Sequence, residues 1–142
     1  MRRFLDTNIL LYSISTRPEE QAKRDIARAL IDQGDCVLSV QVVQEFFVQA
    51  TRQTRPDRIA PEQAMALIGT WRRFPIQPND MGLIDGAWQI YRDHRFSWWD
   101  STIVAAARAS GCDVLSTEDL HHGQVVDSVR IDNPFHALTR DR

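Results

Sequence analysis

The sequence lacks the features of a membrane protein, a secreted protein or a disulfide-stabilised protein. No uninterrupted apolar stretch approaches the roughly 20 residues that span a bilayer, and Asp6 interrupts the apolar N-terminus where a signal peptide needs its core. Its two cysteines, Cys36 and Cys112, lie far apart, with no Cys or His at metal-binding spacing. We therefore expect a cytoplasmic protein with no membrane segment, no disulfide and no structural zinc, in which both cysteines are buried.

The length and the charge balance allow one domain and leave the class of partner open. With 142 residues, of which 43% are hydrophobic, the chain can bury the core of one domain, 1–142, and has no room for a second. Its 17 basic and 19 acidic residues give a net charge of −2, which argues weakly against nucleic-acid binding. The basic residues, however, cluster at 52–58 and at Arg72-Arg73. The charge balance therefore excludes no class of partner.

Short apolar runs alternate with segments of helical periodicity along the chain. This alternation is typical of an α/β protein whose central sheet is mainly parallel. Strands are predicted at 4–5, 36–40, 74–76, 114–117 and 129–131, the third at a sheet edge because it contains Pro75. Helices are predicted at 8–14, 18–33, 41–51, 61–73, 80–94 and from 100 to Gly111. Residues 139–142 are expected to fray.

Four acidic residues lie where such a fold gathers its chemistry. Asp6 and Asp119 each lie just past a predicted strand, and loops at the carboxyl ends of parallel strands line one crevice. Glu45 lies at the edge of one helix's apolar stripe, and Asp100 lies at the start of another helix. Each acid alone has an ordinary explanation, which is helix capping for Asp6 and Asp100 and a solvated helix face for Glu45. Together the four acids favour a shared site.

The segment Trp98-Trp99-Asp100 opens a helix that continues as a run of small apolar residues. We expect Asp100 to be the N-cap of this helix and Trp99 to pack on Val104 as a hydrophobic staple. In the alternative interpretation Asp100 points into the cleft and the tryptophans stack on nucleotide bases.

Four carboxylates in one cleft require cations. Like charges a few ångströms apart raise each other's pKa strongly, so the acids cannot all remain ionised by themselves. Oxygen ligands of this kind suit Mg²⁺ or Mn²⁺. One or two such ions can polarise a phosphodiester and generate an attacking hydroxide without a nucleophilic serine or a histidine. The four acids therefore predict metal-dependent cleavage of a phosphodiester.

The acids lie in four segments with a characteristic order and spacing. These segments are Phe4-Leu5-Asp6-Thr7-Asn8, Glu45 in its apolar helix, Trp99-Asp100-Ser101 before an alanine-rich helix, and Leu115-Ser116-Thr117-Glu118-Asp119. Together they resemble the PIN-domain ribonucleases and, more closely, the VapC-like toxins of bacterial toxin–antitoxin pairs. The resemblance covers essentially the whole chain. Ser101 departs from it, because many relatives have alanine there, and this departure leaves metal binding undisturbed.

The resemblance implies a fold, an activity and a site. The fold is a three-layer α/β/α PIN-like domain with a central, mainly parallel sheet, and the activity is that of an endoribonuclease dependent on Mg²⁺ or Mn²⁺. The catalytic and metal-binding acids fall on Asp6, Glu45, Asp100 and Asp119. Supporting roles fall on Thr7, Asn8 and Thr117. The neighbouring Glu118 could replace the last acid.

The same resemblance implies a homodimer and a cognate VapB-like antitoxin. A cleft with four carboxylates attracts an arginine or lysine as readily as a metal, so we expect a positively charged antitoxin side chain to enter it. The apolar helices around Phe46-Phe47 and Trp98-Trp99 offer surface for a self-interface or a partner helix. In the polar loop, the arginines predicted to hold the RNA backbone, with an ordinary solvated face as the alternative, are Arg52, Arg55 and Arg58.

Two other functions compete with that of an RNA-cutting toxin. A phosphatase with an Asp-x-Asp nucleophile motif also begins with an apolar run and an acid, but it needs a second acid where this chain has Asn8. A PIN-like binding module that has lost catalysis would keep the fold without the chemistry. The presence of all four acids favours the nuclease, and a nuclease assay with and without EDTA separates these hypotheses.

Overall fold

A computed structural model describes residues 1–139 of the chain, so most of the tail that was expected to fray lies outside the described residues. The strands are β1 (Arg3–Leu5), β2 (Cys36–Ser39), β3 (Ile76–Gln77), β4 (Val114–Ser116), β5 (Val125–Val126) and β6 (Val129–Asp132). The helices are α1 (Thr7–Ser13), α2 (Gln21–Asp32), α3 (Val40–Thr51), α4 (Pro61–Trp71), α5 (Met81–His94), α6 (Trp98–Ala109) and α7 (His136–Thr139), with a 3-10 turn at Pro18–Glu20.

The strands form one mainly parallel sheet with the order β3-β2-β1-β4-β6-β5. Strand β1 pairs in parallel with both β2 and β4, and only β5 runs antiparallel to its neighbour β6. The strand order reverses at β1, because β2 and β3 extend to one side of it while β4 and β6 extend to the other. Ligand sites of open α/β sheets lie at such a reversal, beyond the carboxyl ends of the strands.

Helices cover both faces of the central strands. Successive residues of a strand point to opposite faces of the sheet, and every residue of β2 and β4 is buried. Phe4 and Leu5 of β1, which also point to opposite faces, are fully buried. The α/β fold with a mostly parallel sheet that the sequence predicts is thereby confirmed, and the burial of both faces makes it three layers deep.

Short polar residues start the helices that follow the strands. Ser39 caps α3, Asp80 caps α5 and Ser97 caps α6, each through a side-chain oxygen that accepts a backbone N–H. The prediction that Asp100 is the cap of α6 is therefore wrong. Asp100 is the third residue of the helix, and its own N–H donates to Ser97 Oγ at 3.1 Å. Gly111, with φ +70°, follows the end of α6 as predicted.

Two other expectations about the elements need correction. On α2 the sequence pattern placed Ala22 and Ala29 on the apolar face, but both are exposed, and the buried residues are Ala27, Leu30 and Ile31. Strand β5, which pairs with β6 as a hairpin, was not predicted because it has only two residues. Both cysteines are free and buried, as expected. Among residues 1–139, none of the helices has the length and apolar character needed to cross a bilayer.

Candidate acidic active site

The candidate site lies where β1 and β4 end side by side. Leu5 is in register with Ser116, so the next residues of the two strands, Asp6 and Thr117, leave the sheet at the same edge. Helix α3 starts at this edge directly after the neighbouring strand β2, which brings Glu45 close. Helix α6 runs toward the start of β4, so its first turn, with Asp100, lies at this edge as well.

A cavity of about 230 Å³ opens at this point. All four predicted acids line it, together with polar and apolar neighbours. The lining residues are Asp6, Thr7, Asn8, Leu11, Gln41, Glu45, Gln49, Trp99, Asp100, Ile103 and Asp119. The fold therefore gathers side chains that are up to 113 positions apart in the sequence, which only the parallel pairing of the strands makes possible.

Asp6 is at once a helix cap and the most deeply buried of the four acids. Its Oδ1 accepts the N–H of Thr7 at 2.7 Å and its Oδ2 accepts the hydroxyl of Thr117 at 2.8 Å. Burial raises the pKa of Asp6 from 3.8 to about 6, against these two hydrogen bonds, and the charges of Asp119 and Glu45 raise it further. The capping and site interpretations of Asp6 are thus compatible.

The Thr117 hydroxyl links Asp6 to the loop that carries Asp119. It accepts the backbone N–H of Asp119 at 3.1 Å while it donates to Asp6. The Asn8 amide donates to Asp119 Oδ2 at 3.2 Å. Partial burial raises the pKa of Asp119, with Asn8 acting in the opposite direction and the charges of nearby acids acting in the same direction. Both predicted supporting residues thus contact acids of the site.

Glu45 is held by two donors, although it is only half-buried. The Thr7 hydroxyl donates to Glu45 Oε2 at 2.7 Å, and the side-chain amide of Gln41 donates to Oε1 at 3.0 Å. The Thr102 hydroxyl of α6 lies 2.8 Å from Gln41 Oε1. A solvated helix glutamate would have no such partners, so the position of Glu45 is determined by α1 and α6 as well as by its own helix.

Glu118 points away from the site and is held by other residues. The Tyr12 hydroxyl donates to its Oε1, and Lys23 Nζ lies 2.9 Å from its Oε2. Lys23 also packs over the rings of Tyr12 and Phe135. The alternative in which Glu118 replaces Asp119 is therefore not the arrangement found in this fold.

Trp99 differs from its expected packing. The prediction that it forms a buried staple with Val104 is wrong, because its side chain is 65% exposed and lines the acidic cavity. Trp98 instead packs against the core and lies edge-on to Tyr91. The helix starts two residues earlier than predicted, which moves the indole of Trp99 from the staple position to the cavity.

The three arginines of the polar loop do not line the cavity. Arg52 and Arg58 are exposed, whereas Arg55 Nε lies 3.1 Å from Asp57 Oδ1 in an ion pair whose carboxylate is almost completely buried. The other oxygen of Asp57 accepts the N–H of Thr16 at 3.1 Å. Arg55 therefore holds the loop against the chain that follows α1, and only Arg52 and Arg58 remain available to a ligand.

The chemistry of the donor set fits a hard divalent cation. All polar side chains that line the cavity offer oxygen or amide groups, and neither cysteine nor histidine is among them. Within residues 1–139 no three His, Cys, Asp or Glu side chains are arranged as a ready metal cage. Mg²⁺ commonly keeps several waters and binds through one or two carboxylates, so it does not require such a cage.

Sequence reasoning missed the neutral part of the cavity. Gln41, Thr102 and Gln49 carry no charge and belong to no motif that we identified. A signal for Gln41 was present, because it precedes Glu45 by four residues and such residues are neighbours on one helix face. No signal in the sequence identifies Thr102, because its contact with Gln41 joins positions 61 residues apart.

The comparisons with known proteins agree with this geometry. A search of curated protein sequences found no match. Solved structures with the same fold include DNA-bound VapBC from Salmonella typhimurium, with 21% identity, a TM-score of 0.66 and coverage of 93% of this chain and 97% of that chain. FitAcB from Neisseria gonorrhoeae has 20% identity, a TM-score of 0.64 and coverage of 94% and 99%. VapC20 from Mycobacterium tuberculosis, a toxin that cleaves the sarcin-ricin loop, has 20% identity, a TM-score of 0.62 and coverage of 80% and 86%. The family model of the PIN domain matches residues 3–127, and the chain therefore belongs to the PIN-domain family.

Proposed function

We propose that this PIN domain is an endoribonuclease that depends on Mg²⁺ or Mn²⁺. The observation that supports this most directly is the convergence of four acids on one cavity, with Asp6 buried at the reversal point of the sheet. Burying several carboxylates together is unfavourable unless a cation compensates them, so a fold that does so has a use for the cation.

In this proposal Asp6, Glu45, Asp100 and Asp119 hold the metal, directly or through bound waters. The ion supplies charge stabilisation to the phosphodiester and lowers the pKa of water at neutral pH. Thr7 and Thr117 orient the carboxylates of Glu45 and Asp6, and Asn8 orients that of Asp119. The Thr7 hydroxyl is occupied as a donor to Glu45, which disfavours it as a nucleophile.

The first test is cleavage of single-stranded RNA by the purified protein with Mg²⁺, with Mn²⁺ and with EDTA. We expect cleavage with either metal and none with EDTA. Asp6→Asn and Asp100→Asn should each lower the rate by at least about 100-fold, the cost of removing an important electrostatic group. Asp85→Asn, which changes an exposed acid of α5, is the matched control. Wild-type protein that does not cut RNA under any of these conditions would support the inactive binding module instead.

We further propose that the chain is the toxin of a toxin–antitoxin pair and forms a homodimer. The relatives with this fold include toxin–antitoxin complexes from Klebsiella pneumoniae and Salmonella typhimurium. A hydrophobic groove between α3 and α4 offers the apolar surface that a partner requires. It is lined by Val43, Gln44, Phe47, Val48, Met65, Ile68 and Arg72. Phe46, which the sequence suggested for this role, is completely buried and is not part of the groove.

Expression in a bacterial host tests the toxin role. The wild type should stop growth, Asp6→Asn should not, and co-expression of the product of a small adjacent gene should restore growth. The purified protein should sediment as a dimer, and the complex with the antitoxin should lose nuclease activity until excess Mg²⁺ competes with the antitoxin's cationic side chain. A harmless monomer that ignores the neighbouring gene product would refute the toxin role and leave the nuclease proposal to its own test.

A further inference from the structure

An indole side chain is left exposed at the rim of the acidic cavity. Trp99 is 65% exposed, although it lies in the first turn of a helix whose following residues are almost all buried. Among the described residues it has no aromatic ring partner, whereas the adjacent Trp98 contacts Tyr91 at 6.2 Å between ring centroids. Exposing so large an apolar surface forfeits the stabilisation that its burial would supply, so the position calls for an explanation.

The surroundings of Trp99 point to a planar, neutral ligand group. The cavity has an acidic part, formed by the four carboxylates, and an apolar part, to which Leu11, Trp99 and Ile103 contribute. Carboxylates repel a phosphate unless a cation lies between them, so they attract the RNA backbone only through the metal. The apolar part is suited to a nucleobase, and single-stranded RNA presents bases that stack on aromatic side chains.

The backbone of Trp99 is fixed relative to the acids. The Thr102 hydroxyl lies 2.6 Å from the carbonyl oxygen of Trp99 and 2.8 Å from Gln41 Oε1. The Gln41 amide in turn donates to Glu45. A series of hydrogen bonds therefore connects the start of α6 to one of the acids on α3. A stacking surface held in place in this way loses little conformational freedom when a base binds.

We infer that Trp99 is the residue on which a nucleobase adjacent to the scissile phosphate stacks, and that it determines the base preference at the cleavage site. The inference rests on the proposed ribonuclease function. It assigns Trp99 to substrate positioning and not to the chemical step, because its indole carries no group that the reaction requires.

The test compares three variants on short single-stranded RNA of random sequence, with the products sequenced. Trp99→Leu removes the aromatic face, Trp99→Phe retains it, and Trp88→Leu removes the exposed tryptophan of α5, which does not line the cavity. We expect Trp99→Leu to raise KM on the order of tenfold, the usual loss for one stacked base, and to flatten the base preference next to the cut. Trp99→Phe should keep most of both properties, and Trp88→Leu should keep them entirely.

A binding measurement without cleavage completes the test. In the Asp6→Asn protein, tryptophan emission is recorded during titration with a short single-stranded RNA and with the same RNA in abasic form, with and without Trp99→Phe. We expect a quenching component that requires both the bases and Trp99. Because it needs no catalysis, this measurement distinguishes failure of the inference from failure of the ribonuclease proposal.

Three results would overturn the inference. The first is a Trp99→Leu protein that cuts RNA with the wild-type KM and base preference. The second is a Trp99→Phe protein as impaired as Trp99→Leu, which would mean that the indole's shape and not its aromatic face matters. The third is a Trp99→Leu protein that changes only in sedimentation or antitoxin binding, which would assign Trp99 to a protein interface.

Discussion

At the scale of single residues, Asp6 combines two roles that compete energetically. Its carboxylate caps α1 and accepts the Thr117 hydroxyl, which stabilises the fold. The same carboxylate is 7% exposed and lies near other acids, so its ionised form is disfavoured. Because the pKa is raised to about 6 in the folded protein, the unfolding free energy should fall as the pH rises from about 4 to about 6.

Asp6→Asn should remove this pH dependence. In EDTA at pH 7 the variant should be more stable than the wild type by up to about 3 kcal/mol, at about 1.4 kcal/mol per pKa unit, whereas near pH 4 the two should be similar. Thermal unfolding followed across this pH range measures the difference, with Asp85→Asn as the control. A variant less stable than the wild type at pH 7 would mean that the hydrogen bonds to Thr7 and Thr117 outweigh the cost of the buried charge.

At the scale of elements, helix α2 supports the site without entering it. Lys23, the only lysine in the sequence, extends from α2 and contacts Glu118 and the Tyr12 hydroxyl, at 2.9 and 3.2 Å. Glu118 adjoins Asp119, so this contact anchors the loop after β4 on which the last acid lies. The anchor also keeps the negative charge of Glu118 directed away from the cavity.

Lys23→Met should therefore loosen the loop after β4 while α2 remains folded. The expected loss of local stability is about 1 kcal/mol, as for a partly exposed ion pair. The reporter is exchange of the Asp119 amide hydrogen, which Thr117 Oγ1 accepts, and exchange should become roughly fivefold faster. Arg24→Met, which removes the contact with Asp25 on the same helix, is the matched control. Equal exchange rates in the two variants would show that Lys23 does not hold the loop.

At the scale of the whole molecule, the charges are separated although they nearly cancel. The acids converge on the cavity, whereas Arg52 and Arg58 lie exposed on the loop between α3 and α4. RNA binding in this proposal combines a metal-loaded acidic site with cationic side chains elsewhere, which contact phosphates and carry no sequence information.

Reversing the charges of Arg52 and Arg58 together should weaken RNA binding uniformly across sequences. The slope of binding against salt concentration should become shallower by about 0.7 for each lost phosphate contact on single strands. Reversal of Arg92 and Arg130, which are also exposed, is the control. An unchanged slope would mean that the loop is an ordinary solvated face. Arg55→Glu should instead lower the melting temperature, because it leaves the buried Asp57 carboxylate without its cation.

The fold and the acids could be predicted because local sequence determines them. Apolar runs such as Cys36–Ser39 read as buried strands, helical periodicity identifies the segments between them, and parallel pairing then brings the carboxyl ends of all strands to one edge. Asp6 and Asp119 follow strands directly, so their convergence needed no knowledge of packing. Charge repulsion supplied the remaining step from an acidic cluster to a cation.

The tertiary structure decided what depends on contacts between distant segments. Trp99 is exposed because α6 is capped by Ser97, and no local pattern distinguishes this start from one at Asp100. Glu118 is excluded from the cavity by Lys23, 95 residues away, and Arg55 is withdrawn from the surface by Asp57, which the chain after α1 holds in place. In each case two starts, rotamers or partners are nearly equal in local free energy, and only the packed fold selects one of them.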